Sequence, residues 1–412
     1  MRSRLSCGTE QLATLTVPAD QIGALARLSD EPGTLGLLQR SRLSRNLAFL
    51  AAIVRAPVSD DSVRTAFELL AEIQRKHPDA VRDTLQHPRF GAWAAVCAAA
   101  LAADGADGVA DAVPAAHLAS FAAAAAIRTG TPFDLWLPAS GDTVVVPGLG
   151  CWTGPAADPA RVRSTGSTTP PEIGQPWMSV RRLAARLPDG VVTVEFDDLP
   201  PTPAAWPDLP PADPRRRWQP CPESEFDGWQ RLFEPALKLL WQTVPELAGP
   251  LCQGMRAIMP RSQGASSFVS STLADSFGAA AMVRPPDELA AATALLHEFQ
   301  HSKLCALMEV VPLIAVEGAA DLPSPWRREP RPASAVLHGI YAHLAVARLH
   351  ARASRPEGYH VDGVLVREQT LDACDTLLHS DRLTPTGHRF VQLMRHTALH
   401  DGRTAATNRR TE

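Results

Sequence analysis

Apolar residues recur at three- and four-residue steps through the first 130 positions, the period of a helix with one buried face. Leu35, Leu38, Leu43, Leu47, Leu50 and Ile53 trace one such face, and residues 62–74 and 88–103 repeat the pattern. Residues 115–127 are alanine-rich and predict helix by propensity alone. The period then changes. Residues 143–147 and 190–196 are β-branched runs bounded by glycine, aspartate and proline, and they predict strands. Shorter strands are predicted at 255–259 and 279–283. Helix returns over 226–244, where Trp229, Phe233, Leu237 and Leu240 share a side and Pro235 is placed to kink it. Arg284-Pro-Pro-Asp287 predicts the start of another helix, running to about Val310 and stopping before Pro312. A further helix should begin after Pro332, and two more within 366–396. The expected fold is α+β and predominantly helical. It comprises a helical N-terminal region (1–130), a β-containing region (131–222), a mainly helical C-terminal region (223–400) and a disordered tail (401–412).

Composition narrows the class. A 45% hydrophobic content over 412 residues supplies a core and excludes wholesale disorder. The formal charge of −4 argues against a general nucleic-acid binder. The most apolar run, 93–103, is too short to cross a bilayer, and the first 20 residues lack the apolar stretch of a signal peptide. Seven scattered cysteines with no CxxC pair fit reduced thiols. A soluble cytoplasmic protein with neither nucleic acid nor membrane as partner is expected. Proline is abundant, at 37 residues, and nine fall within 199–222, which reads as an extended connection.

Chemistry concentrates in the last third, where ten of the 13 histidines lie beyond residue 296. His297-Glu298-Phe299-Gln300-His301 falls inside the helix predicted after Asp287. Imidazoles at i and i+4 share one helix face and can share one metal ion. Chance alone produces such a motif in a chain of this size on the order of 0.02 times. For a third ligand, His338 is the leading candidate, because Ser334, His338, Tyr341 and Ala345 form a stripe of small and polar character. His343 lies on another face and reads as an ordinary helix histidine. Glu317 and Asp321 form an ExxxD pair of the kind glutamate-ligand zinc proteases use, in a segment that reads as loop. The metzincin pattern is absent, since Leu304 and Leu307 occupy its glycine and third-histidine positions. Pro325-Trp-Arg-Arg-Glu-Pro-Arg-Pro332 reads as a proline-held loop whose arginines make a ready carboxylate clamp. Trp326, Tyr341 and Lys303, one of only three lysines, are candidate substrate contacts. The hydroxyl-rich residues 266–272 are a candidate surface for pairing with a peptide backbone.

The ordered set HEFQHSKL, PWRREPRP and LHGIYAHLAV resembles the HExxH-motif peptide-modification proteins of ribosomal peptide clusters. Ser276-Phe-Gly-Ala279 and His87-Pro-Arg-Phe-Gly-Ala-Trp93 extend the resemblance upstream, so that it touches most of residues 35–350. The resemblance implies an iron(II)- and 2-oxoglutarate-dependent dioxygenase that uses O2 to place a hydroxyl on the β-carbon of a residue in a precursor peptide. Maturation enzymes of the same cluster would be further partners. His297 and His301 would then be iron ligands, with His338 as candidate third. Arg327 and Arg331 would hold a 2-oxoglutarate carboxylate, and Glu298, the candidate catalytic residue, would support a metal ligand or position the substrate. The EGAAD segment before PWR has no counterpart in the family and keeps a zinc metallopeptidase open, in which Glu298 is the general base. A third reading is a non-catalytic protein that binds a leader peptide or a maturation enzyme.

Overall fold

The computed structural model describes residues 16–29, 33–56, 61–103, 114–154, 157–200, 219–261, 270–353 and 362–408. Helices α1 (Ala19–Ala26), α2 (Thr34–Arg55), α3 (Asp61–Lys76), α4 (Pro78–Leu85), α5 (Pro88–Ala103) and α6 (Leu118–Thr129) come first. Seven strands follow: β1 (Phe133–Leu137), β2 (Thr143–Val146), β3 (Gly150–Thr153), β4 (Ala160–Ser164), β5 (Trp177–Ser179), β6 (Arg181–Leu187) and β7 (Gly190–Phe196). Then come α7 (Glu223–Thr243), α8 (Pro245–Gly254), β8 (Ala257–Arg261), β9 (Ser270–Thr272), β10 (Ala279–Val283) and α9 (Glu288–Met308). The chain closes with β11 (Leu322–Ser324), β12 (Arg327–Arg331), α10 (Ala333–Arg352), α11 (Gly363–Leu378) and α12 (Pro385–Asn408). The fold is α+β and mainly helical. Among the described residues no helix is long and apolar enough to cross a membrane.

One five-stranded sheet, ordered β6-β7-β8-β10-β9, crosses the expected boundary at residue 222. Its first two strands form a hairpin from the β-region, and β7 pairs in parallel with β8 of the C-terminal region. β10 pairs in parallel with β8 and antiparallel with β9, which forms the sheet's end. One face, carrying Leu183, Val194, Phe196, Ile258, Ala280 and Met282, packs into the main core with helices α7 and α9. The alternate residues Ala257, Met259, Ala279 and Ala281 make a small cluster on the other face, as strand alternation requires.

A second core belongs to α3, α4, α5, α6 and the strands β1–β4, with Trp93, Phe90 and Phe121 at its centre. Helix α2 joins the two. Leu35, Leu37 and Leu38 lie in the main core, whereas Leu50 and Ile53 lie in the second. The 199–222 connection falls largely outside the described residues.

Two expectations are corrected. PWRREPRP is not a loop: Leu322 pairs with Arg331 and Ser324 with Arg327 in a β-hairpin. Of the tail expected to be disordered, residues 401–408 continue α12, which runs to Asn408, and 409–412 lie outside the described residues.

Candidate functional site

Helix α9 starts at Asp287, whose side chain accepts a hydrogen bond from Ala290 N at 2.8 Å, a cap worth about 1 kcal/mol. It lies inside the protein with most of its circumference buried. Between Ala291 and Met308 the partly exposed positions are Thr293, His297, His301, Cys305 and Met308. They form a single stripe one turn apart, so the histidines are the residues that α9 leaves open.

His297 Nε2 and His301 Nε2 lie 3.0 Å apart, a separation that suits two ligands of one ion or one shared proton. Two histidines of α10 flank this pair from opposite ends. His338 Nδ1 meets His301 Nδ1 at 3.3 Å, while its Nε2 lies 3.9 Å from Cys305 Sγ. His338 therefore approaches the edge of the His301 ring that faces away from His297. The ring of His343 lies 4.9 Å from that of His297. His343 Nδ1 lies 2.9 Å from Gly339 O, to which it donates, and that bond leaves Nε2 as the lone-pair nitrogen. A backbone carbonyl on the far nitrogen is the usual companion of a ligating imidazole. Among the described residues no three His, Cys, Asp or Glu side chains converge in a ligand arrangement. The donors present fit a metal as a pair with a third imidazole alongside.

Burial keeps this cluster neutral. It pushes His297 down to about 3, helped by His343 and Arg327. His338 falls to about 4 from burial, opposed by Glu317. His343 falls to about 4 from burial, with the Gly339 bond opposing and Arg327 adding to the shift. His301 drops well below its ordinary value from burial and its three histidine neighbours. Neutral imidazoles are the form that binds metal. The Cys305 thiol is pushed up to about 11, chiefly by burial, so it is protonated.

Trp326 caps the cluster. Its ring stacks on His343 at 4.1 Å and 7°, and it sits over Gly339, where a Cβ would come within 2.6 Å of it. Glycine is needed at 339 because the indole occupies the space of a side chain. The next residue, Arg327, is exposed and close enough to lower both His297 and His343. Arg331 is exposed at the other end of β12, opposite Leu322. The hairpin thus brings Trp326 and Arg327 to the histidines.

Glu298 faces elsewhere. Its carboxylate is buried beneath β9, where Ser270 Oγ donates to Oε1 at 2.5 Å and Thr272 Oγ1 donates to Oε2. Burial raises its pKa, and the two hydroxyls oppose the rise. Glu317 accepts from Ser334 N and Ser334 Oγ at the start of α10, and Asp321 pairs with Arg382. Both carboxylates of the ExxxD pair thus have partners outside the histidine pair, and Glu317 acts on His338 by charge alone. Lys303 and Tyr341 are buried with each other, the ammonium 5.9 Å from the ring centre and the ring against Phe390. Of residues 266–272, only 270–272 are described.

His338 and His343 both lie beside the pair, although helical periodicity sets them on different faces of α10. Five positions from His338, His343 lies about 140° around the helix, and one stripe cannot hold both. The available signal was Gly339, a residue of poor helix propensity four positions before His343. No protein-family model and no curated protein matches the chain.

Proposed function

We propose that the chain is an iron(II)- and 2-oxoglutarate-dependent hydroxylase acting on the β-carbon of a residue in a ribosomal precursor peptide. The observation that carries the metal chemistry is the division of roles around α9. Two neutral imidazoles, His297 and His301, share its open stripe with the His343 ring of α10 beside them, while Glu298 and Glu317, the carboxylates a zinc hydrolase would use as base and ligand, are bonded elsewhere. The peptide substrate rests on the resemblance carried by HEFQHSKL, PWRREPRP and LHGIYAHLAV.

In this reading His297 and His301 hold the iron and His343 completes the set, steadied by Gly339 O and the Trp326 ring. Three protein ligands leave positions for exogenous groups. Bound iron with 2-oxoglutarate and O2 would supply the oxidising power to replace a C–H bond by C–OH. The protein's own work is positional. Arg327, exposed at the rim with its guanidinium near His297 and His343, would receive a carboxylate of 2-oxoglutarate. Trp326 shields one side of the cluster from water. Glu298 would act through structure: its bonds to Ser270 and Thr272 fix α9 against β9, and so fix the height of His297.

The test is anaerobic iron(II) titration followed by 2-oxoglutarate, read by the visible charge-transfer absorption of the chelate. Wild type should develop the band, and His297→Ala and His301→Ala should lose iron. His343→Ala should lower iron affinity beyond the ~10–100-fold typical of an outer partner, with His338→Ala inside that range. Arg327→Gln should bind iron normally but require more 2-oxoglutarate. No iron binding, or zinc-dependent peptide cleavage lost in Glu298→Gln, would overturn the proposal.

A further inference from the structure

The stripe of α9 that begins at the histidines ends at Glu309, and there a second polar cluster is built from both halves of the chain. Arg42, at the middle of α2, is only 3% exposed. Its Nη1 lies 2.7 Å from Glu309 Oε1 but without hydrogen-bond alignment, and its Nε and Nη2 have no acceptor. Buried donors left open are costly and call for a partner. The nearby carboxylates are already engaged. Glu309 and Asp275 both accept from Arg45 Nη1, at 2.7 and 2.6 Å. Arg256 donates to Gln86 Oε1 at 3.2 Å, and among the described residues no carboxylate pairs with it. Beside these groups is a narrow recess with room for about one water-sized group, lined by Gln39, Arg42, Asn46, Gln86, His87 and Arg256.

Its walls come from two segments that the histidine site does not use. His87 and Gly91 belong to HPRFGAW, and Phe277 to SFGA. Gly91 lets these segments touch, since a Cβ there would lie 2.3 Å from Asp275 O. Asp275 is on the rim, paired with Arg45, and Glu195 stands behind His87 at 2.9 Å with Arg182 at 3.9 Å. The free capacity is therefore cationic and donor-rich: two open donors on Arg42, the remaining donors of Arg256 and the amides of Gln39 and Asn46. Asn46 spends one N–H on Leu85 O.

We propose that the mouth of this recess binds an oxyanion, a carboxylate or phosphate group, on Arg256, with one of its oxygens entering the water-sized space beside the open donors of Arg42. A planar guanidinium with two free N–H groups is matched to such oxygens. The proposal stands independently of the metal reading.

The test uses metal-free full-length protein in a low-salt buffer of bulky anions, melted with inorganic phosphate, with acetate and with a short aspartate-containing peptide. Phosphate or acetate at millimolar concentration should raise Tm in wild type. Arg42→Met and Arg256→Gln should weaken that response at least tenfold, with Arg327→Gln unchanged. Should Arg42→Met not fold, Arg256→Gln decides, because that residue is partly exposed. A peptide response stronger than acetate's assigns the group to a peptide, and a response to phosphate alone assigns a phosphate ligand. A melt unmoved by any of the three probes, or a response kept in both recess variants, overturns the proposal.

Discussion

Arg89 and Arg42 are buried to the same degree, at 2% and 3% exposed, and both lie where the two cores meet. Arg89 reaches from α5 to the end of β7. Its Nε and Nη2 grip the two oxygens of Asp197 at 2.7 and 2.6 Å, and Nη1 and Nη2 also donate to Pro200 O and Leu199 O. Arg42 has one close carboxylate, shared with Arg45, and two open donors. Burial alone therefore does not distinguish a structural arginine from a binding one; saturation does. A closed pair is complete within the fold, whereas an open guanidinium retains capacity for a ligand.

The largest test of that contrast is Arg89→Met. It leaves Asp197 buried without its counter-charge, and breaking a buried pair in this way costs about 3–5 kcal/mol. Urea unfolding should report a loss of that size, and an Asp197→Leu change added to Arg89→Met should restore most of it. A loss below about 1 kcal/mol would place Arg89 with Arg42 and dissolve the distinction.

A smaller effect comes from His117, beside Arg89 in a recess with Trp93 and Ser120. Burial pushes His117 down to about 4, with Asp158 opposing. The unfolded chain takes up a proton below about pH 6.5 that the folded chain refuses until about pH 4. The stabilisation is thus complete above pH 6.5 and falls away as pH drops through that window. His117→Asn in metal-free protein should flatten this slope, gaining on the order of 1 kcal/mol relative to wild type at pH 5.5. Thermal melts at pH 7.5 and 5.5 measure it, and an unchanged slope would show that the recess already admits the charge.

Local signals were readable along the chain where one segment decides. Asp287 announced α9, and the 190–196 run announced β7. β6 was hidden because Arg181, Arg182 and Arg186 break its apolar alternation, and its pairing with β7 supplies what propensity lacks. The hairpin at 322–331 was hidden by its charges and prolines for the same reason. At the site, the i and i+4 spacing exposed His297 and His301. His343 depends on how α10 crosses α9 and on an indole that fills the gap above Gly339, and neither is written in a single helix. The Arg42 recess was out of reach, since its parts come from residues 42, 86, 256, 275 and 309.

The smallest expected effect is the sharpest. Arg42→Met removes a guanidinium that desolvation already disfavours and leaves Glu309 with Arg45 as partner. Exchanging a poorly bonded buried charge for an apolar side chain of similar length is close to neutral. Stability without added anion should stay within about 1 kcal/mol of wild type in urea unfolding. The argument turns on the pairing of that small number with the large one at Arg89. If Arg42→Met instead costs 3–5 kcal/mol, the contact with Glu309 holds α2 to the end of α9 by itself. The open donors would then be a tolerated imperfection rather than unused binding capacity.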